Sequence, residues 1–311
     1  MNSLPRISVI VPIYNGEAEL PELLNCLRLQ TYPVERVEYL LVDNNSSDRT
    51  ASILQAAEKD ANIPIRYLTE NRIQSSYAAR NVGIRAARGE ILAFTDADCR
   101  PQSNWLESLV KHFAEPSIGI VAGEIVALPG KTLLEKYAHR QNILSQKHTL
   151  AHPFCPYGQT ANLAIRRQVF QEVGLFRPYL TTGGDADLCW RILRQTKWKL
   201  EFAPEAIIQH RHRSNWRELQ KQWRRYGESN RYLHELYGIE LMRELTVKEA
   251  VYRLSRWLLK ELPIFLVKAS AGKADIVDLF KGPISLFCAA ARTIGQRQSH
   301  LPDEARQIEQ L

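Results

Sequence analysis

Two carboxylates stand two positions apart in Asp96-Ala97-Asp98, directly after the apolar run Ile91 to Thr95. In extended backbone, positions i and i+2 point the same way, so Asp96 and Asp98 face one ligand if the strand continues. Hard oxygen donors of this kind suit Mg²⁺ or Mn²⁺, which in turn bridge two phosphates. An aspartate pair at a strand end also serves as a turn or helix cap, so this spacing alone leaves both readings open. A second acid, Asp43, closes the run Val37 to Val42, where its carboxylate could accept a hydrogen bond from a nucleobase or ribose. It opens the polar turn Asn44 to Thr50, in which Asp48 or Ser47 is expected to cap the next helix. A third, Asp185, follows Gly183-Gly184 and begins a helical stretch as its N-cap, a role worth ~1 kcal/mol. Asp187 is expected to pair with Arg191 one turn later. His210 follows the apolar run Ala206 to Ile208, where a lone histidine reads first as a structural residue.

These residues need elements to hold them. Ile7 to Ile13, Val37 to Val42, Ile65 to Leu68 and Ile91 to Thr95 are short, continuously apolar and rich in β-branched residues, as buried strands are. Between them Leu20 to Leu29, Ala51 to Lys59 and Ser76 to Ala87 carry helical patterns. The order βαβαβαβ predicts a mainly parallel sheet with helices on both faces, which binds ligands beyond the carboxyl ends of its strands. Asn15, Asp43 and Asp96 to Asp98 all follow strand ends and so converge on one crevice. Further on, helices are expected over Thr132 to Lys147, Arg167 to Val173 and Asp185 to Lys197. Short strands are expected near Leu200 and Ile207, and from Trp216 the chain reads as helical almost to its end.

The bulk properties remove several classes. With 311 residues and 45% hydrophobic content the chain buries a full core. There is no GxGxxG after the first strand and no GxxxxGK[ST] anywhere, which argues against a dehydrogenase and a P-loop NTPase. Five scattered cysteines without a CxxC pair suggest neither zinc nor a disulfide framework, so a reducing, cytoplasmic setting is expected. Met1 to Pro5 runs straight into Ile7 to Ile13, too short for a secretory leader. No apolar stretch reaches the ~20 residues that span a bilayer. From Arg211 onward 18 Lys and Arg face 12 Asp and Glu, so most of the formal charge of +7 lies in that third. Arg253, Arg256, Lys260 and Lys268 flank Trp257, Leu258, Leu259, Phe265 and Leu266 as in an interfacial amphipathic segment. Packing against the rest of the protein is the alternative. No nucleic-acid motif accompanies this charge, and no nucleic-acid partner is expected.

Five segments occur in a fixed order: Ile10-Val11-Pro12-Ile13-Tyr14-Asn15, the Asp43 turn, Ala79-Arg80-Asn81-Val82-Gly83-Ile84, Asp96-Ala97-Asp98 and Gly184-Asp185-Ala186-Asp187-Leu188. Over roughly residues 6 to 230 the chain resembles a family 2 glycosyltransferase of the GT-A fold, a Rossmann-like α/β domain. The resemblance implies a catalytic domain over 1–214, with the nucleotide-sugar side at about 6–126 and the acceptor side at about 127–214. A helical extension follows over 215–311. It implies that Pro12, Tyr14, Asn15 and Asp43 hold the nucleobase, that Arg80 is among the donor-binding residues, and that Asp96 helps to hold the ribose and a metal-bound water. Asp98, with Asp96, then holds a divalent cation, Mn²⁺ or Mg²⁺, and His210, in preference to His212, contacts metal or phosphate. Asn162, in Gly158-Gln159-Thr160-Ala161-Asn162, contacts the sugar or else forms a turn. Asp185 stands at the position of the general base, such a base contributing ~10²–10⁴-fold. The Glu that usually precedes that base is Gly184 here, which bears on acceptor placement more than on the base.

The implied partners are a nucleotide-diphosphate-sugar donor and a glycan, lipid-linked or other hydroxyl acceptor; the amphipathic C-terminal stretch leaves peripheral membrane contact and packing on the protein as the two alternatives. The run Gln222 to Tyr226 does not match the Gln-x-x-Arg-Trp element of processive relatives, which implies transfer of a single sugar. A nucleotidyltransferase would need a basic loop after the first strand, but Asn15-Gly16-Glu17-Ala18-Glu19 is acidic. A catalytically silent nucleotide-sugar-binding scaffold is the non-enzymatic alternative.

Overall fold

The structure is a computed structural model that describes residues 4–271 and 275–311. Residues 1–3, part of the lead segment considered above, lie outside the described residues. Strand β1 (Ile7–Ile13) is buried at all seven positions, as a β-branched run inside a parallel sheet must be. Strands β2 (Val37–Asp43), β3 (Ile65–Thr69) and β4 (Ile91–Phe94) lie parallel to it in the order β3-β2-β1-β4. Helices α1 (Leu20–Arg28), α2 (Thr50–Glu58) and α3 (Ser76–Ala86) make the crossovers. Ile13 sits opposite Asp43 and Ile10 opposite Phe94, so the carboxyl ends of β1, β2 and β4 open on the same edge.

The rest of the sheet contains its antiparallel pairs. After β4 come β5 (Cys99–Pro101), α4 (Trp105–Val110) and β6 (Ile118–Ala127). Next are α5 (Leu133–Arg140), α6 (Gln146–Leu150), β7 (Leu163–Arg166), α7 (Val169–Val173), α8 (Gly184–Gln195) and β8 (Lys199–His210). They extend the sheet as β4-β7-β6-β8-β5. The single helix expected over Thr132 to Lys147 is two: Asn142 takes a left-handed φ of 48°, which ends the first. The two short strands expected near Leu200 and Ile207 are one long strand, β8. After β4 the strand does not continue. Asp96 and Asp98 flank a turn between β4 and β5, and the parallel projection of i and i+2 is lost.

By their internal contacts the residues form two compact units. One comprises Met1–Val126, Leu144–His210 and Pro302–Leu311, and the other Ala127–Ile143 and Arg211–Leu301. The first carries the sheet, and residues 302–311 belong to it, not to the helical part. Glu309 accepts from the Leu175 N–H through its carbonyl (2.8 Å), and through its carboxylate from Asn81 Nδ2 (3.2 Å) and Arg85 (2.8 Å). The second unit is built on α9 (Trp216–Tyr237), α10 (Val247–Arg256), a π-helical turn (Trp257–Glu261), α11 (Leu262–Ser270) and α12 (Ile276–Gln298), together with α5. Helices α9 and α12 touch backbone to backbone at glycines. A Cβ on Gly227 would lie 2.0 Å from the Arg292 carbonyl oxygen, and one on Gly295 the same distance from that of Arg224.

Asp187 joins the expected pair and one more cation. Fully buried in α8, it accepts from Arg191 Nε (3.1 Å) and Arg177 Nε (2.9 Å). Arg191 also donates to the carbonyls of Val173 and Leu175. Removing the anion leaves two guanidinium groups without their carboxylate in a dry site, so Asp187→Ala should cost about 3–5 kcal/mol. The urea midpoint should fall with the slope unchanged.

Candidate active site

At the first strand end the chain leaves β1 through Tyr14, which is 58% exposed, and turns at Asn15 with φ 50°. This turn is laced to the one after β2. Ser46 Oγ and Thr50 Oγ1 accept from the N–H groups of Asn15 and Gly16, both at 2.8 Å. Asn15 Oδ1 takes the Ser47 N–H (2.8 Å), and Asp48 takes the Glu17 N–H (3.0 Å) and the Thr50 N–H (2.9 Å). The N-cap of α2 is Arg49, not Ser47 or Asp48 as expected, and Asp48 braces the turn just before it. Asn15, expected to bind the nucleobase, has its side-chain oxygen committed to holding this turn. Asp43 lies beneath, almost buried, accepting from the Ser46 N–H (3.0 Å) and facing the Tyr67 hydroxyl at 3.5 Å. Pro12, the other residue expected there, is buried within β1 opposite Val42.

The second cluster centres on Arg80, carried by α3. Its side chain is 4% exposed and pairs with Asp96 at 2.5 Å. The guanidinium also lies over the Tyr77 ring, 5.5 Å from its centroid. The Tyr77 hydroxyl accepts from the Gly184 N–H (3.0 Å), and the ring fills the space a side chain at 184 would need, since a Cβ there would fall 2.7 Å from it. That contact is a physical reason for glycine immediately before Asp185. Helix α8 takes its N-cap from Gly183, at φ 79°, so Asp185 sits inside the first turn and not at the expected cap. Its carboxylate accepts from Thr160 Oγ1 (2.9 Å) and the Thr160 N–H (3.2 Å). Burial raises the Asp185 pKa above the usual aspartate value, and the Asp96 charge adds to the rise. Arg80 and the Thr160 bonds oppose it.

The third cluster begins at Asp98, whose Oδ1 lies 3.3 Å from His210 Nε2. Cys99 is paired in register with His210 across β5 and β8, and the ligand atoms of all three residues lie within 4.8 Å of one another. Carboxylate and imidazole fit a divalent cation. Burial, then the charges of Asp98 and Asp96, push the Cys99 thiol well above its usual pKa. Arg100 braces this turn against α1, pairing with Glu19 (2.5 Å) and Glu22 (2.7 Å) and donating to the carbonyls of Ala97 and Cys99.

Of the two expectations for Asn162 the turn holds, since Thr160–Asn162 form a 3-10 turn, and the sugar contact requires a correction. The Asn162 side chain is fully buried, with Nδ2 donating to the Glu124 and Ala206 carbonyls, both at 2.8 Å, and Oδ1 accepting from Trp105 Nε1 (2.8 Å). Both amide protons are spent on joining strands, which leaves none for a sugar. The residue of that segment that reaches the site is Thr160, through Asp185. Sequence reasoning passed over Thr160 and Tyr77, because each acts through a residue distant in the chain and neither type is distinctive. Thus Arg80, Asp96 and Asp185 form one electrostatic group, Asp98 and His210 a second, and Asp43 with Tyr14 marks the far end.

The model of Glycosyl transferase family 2 matches residues 8–174, a span that contains Asp43, Arg80, Asp96 and Asp98 but stops short of Asp185 and His210. The chain is 35% identical over 261 residues to Glycosyltransferase AglE of Haloferax volcanii, covering 83% of this chain and 81% of that protein. It is 30% identical over 217 residues to the pre-mycofactocin glycosyltransferase of Mycobacterium tuberculosis, covering 68% of this chain and 44% of that one. Among solved structures, mannosyltransferase PcManGT from Pyrobaculum calidifontis in complex with GDP-Man and Mn²⁺ aligns over 96% of this chain and 88% of its own, with a TM-score of 0.67 at 19% identity. TarS 1-349 of S. aureus in complex with UDP-GlcNAc aligns over 96% and 95%, with a TM-score of 0.55 at 15% identity. The fold is that of the GT-A glycosyltransferases. By family-model match and by identity to its relatives, the chain belongs to glycosyl transferase family 2.

The raised pKa of Asp185 has a stability consequence. The folded state holds its proton more tightly than the unfolded state, so stability falls as pH rises from the unfolded value, near 3.8, through the higher folded one. Asp185→Asn removes that loss. Its urea stability should match the wild type more closely below pH 4 and exceed it increasingly as pH climbs, levelling off once the wild-type carboxyl is ionised.

Proposed function

We propose that this glycosyltransferase transfers a single sugar from a nucleotide-diphosphate donor to a hydroxyl of a glycan or lipid-linked acceptor, with inversion at the anomeric carbon and with a divalent cation, Mn²⁺ or Mg²⁺. The observation that carries this reading is the meeting at one sheet edge of Asp43, the Asp98–His210 pair and a carboxylate, Asp185, of raised pKa. Asp43 and the exposed Tyr14 ring take the nucleobase, the first by hydrogen bond and the second by its face. Arg80 stays neutralised by Asp96 and sets the charge next to Asp185. Asp98 and His210 hold the cation, which when bound supplies positive charge to the departing nucleotide diphosphate. Asp185 takes the acceptor proton as the oxygen attacks from the face opposite the leaving group. Desolvation makes it a stronger base than a solvated carboxylate, and Thr160 keeps it aimed.

Relatives of this fold were captured with GDP-Man and with UDP-GlcNAc, which supports a nucleotide-sugar donor and leaves its base to experiment. Polysaccharide or glycolipid assembly is the setting, at the aqueous, cytoplasmic face of a membrane and peripheral to it. The nucleotidyltransferase reading is disfavoured: Glu17 is paired with Arg49 and Glu19 with Arg100, so the loop after β1 offers no cation to a triphosphate.

Released nucleotide diphosphate, measured over a panel of UDP-, GDP- and dTDP-sugars with Mn²⁺, Mg²⁺ or EDTA, tests the class. Turnover of one donor, abolished by EDTA, is expected. Asp185→Asn should lower kcat by ~10²–10⁴-fold while donor affinity stays within about twofold; substantial turnover in that variant would end the base assignment. Asp98→Ala should remove the part of donor affinity that depends on Mn²⁺, seen by calorimetry. An Mn²⁺-dependent part of the affinity that is as large in Asp98→Ala as in the wild type would place the cation elsewhere.

A further inference from the structure

The second unit carries an apolar face with no partner in the fold. Helix α10, the π-helical turn and α11 form one continuous helix from Val247 to Ser270, which at 1.5 Å per residue is roughly 36 Å long. None of its residues is buried. Yet Val247, Val251, Leu254, Leu258, Leu259 and Leu266 are all exposed, Val247 at 82% and Leu259 at 76%. A chain that folds around a full core elsewhere leaves such a stripe open only where something else covers it. The helix is nonetheless fixed in place: Trp257 Nε1 donates to the Leu279 carbonyl of α12 (2.8 Å), and the Trp257 ring lies 6.5 Å from that of Phe280.

Charge distinguishes the possible covers. The stretch 247–270 has five cations, Lys248, Arg253, Arg256, Lys260 and Lys268, against two acids, Glu249 and Glu261. Both acids are already engaged, Glu249 with Arg253 (2.7 Å) and Glu261 with Arg256 (3.4 Å). Lys248, Lys260 and Lys268 form no ion pair among the described residues. Two copies packed face to face would bring these lysines together with no free acid on the helix to answer them. An anionic lipid surface answers all three and takes the leucines into its acyl boundary. The helix cannot cross a bilayer, since no described helix is long and apolar enough.

We infer that the Val247–Ser270 helix lies in the plane of an anionic membrane surface, with its leucine face in the lipid and Lys248, Lys260 and Lys268 at the phosphates. This rests on the peripheral placement proposed above and names the segment and the lipid charge responsible. It requires nothing of the sugar-transfer chemistry, so either can fail alone.

The test is flotation of the full chain with phosphatidylglycerol or phosphatidylcholine vesicles, alongside light scattering of the protein without lipid. The wild type should float with phosphatidylglycerol, bind phosphatidylcholine at least about tenfold less, and be monomeric in solution. Leu258→Glu combined with Leu259→Glu should lower partition into phosphatidylglycerol by at least about tenfold, with helical content by circular dichroism unchanged. Lys260→Glu combined with Lys268→Glu should erase the preference for phosphatidylglycerol. Wild type that stays in solution with both lipids overturns the inference, as does undiminished binding by the leucine variant. So does a dimer that the leucine substitutions dissociate.

Discussion

A guanidinium that is almost wholly withdrawn from water must be answered by charge and by a polarisable surface, and the Arg80 environment is arranged around that requirement. Asp96 supplies the charge and the Tyr77 face the surface. The demands propagate. Because Tyr77 has to lie flat against Arg80, its hydroxyl reaches the Gly184 N–H and its ring excludes a side chain at 184. Because Asp96 is drawn to Arg80, the turn behind it leaves Asp98 to face His210. Asp185 ends up in a dry position tempered by one cation and disturbed by one anion, which is what lifts its proton affinity without neutralising it at all pH.

The register of the parallel strands is the frame on which this works. Ile13 opposite Asp43 and Ile10 opposite Phe94 bring three chain reversals to one level, so residues from four separate segments share a crevice without a long loop. The hydrogen bonds between the turn at Asn15 and the turn at Ser46 then make two loops into one rigid lip. Arg100 does the same for the turn that carries Asp98, using Glu22 of α1 and Glu19 just before it, the latter visible in the sequence only as negative charge on a loop.

The parallel half was legible because burial on both sides of a strand leaves a continuous apolar run, and β1 through β4 each begin at the residue where such a run begins, with ends within a residue. The acids at the strand ends were legible for the same reason: position relative to a run needs no partner. The paths of side chains after a turn were not. Whether Asp96 and Asp98 point together depends on Arg80, sixteen positions earlier than Asp96, and on His210, on another strand. Asn162 looked like a ligand-facing amide until the Trp105 indole and two carbonyls accounted for it. The break at Asn142 escaped because a single left-handed residue does not disturb the apolar period around it.

Residues 302–311 bear on how the molecule is made. Glu309 ties Leu175 to Asn81 and Arg85 of α3, the helix that presents Arg80, yet it is translated after the whole of the helical unit. At roughly 5–20 residues per second, a ribosome needs several seconds to pass from His210 to that strap. Through that interval the nascent sheet domain has its strands, and α3 its bonds from Asn81 to Phe176, but not this last fastening. A pause in synthesis anywhere in the helical unit would prolong that half-fastened state, so the timing of translation is itself a variable in how much of the polypeptide reaches its finished form.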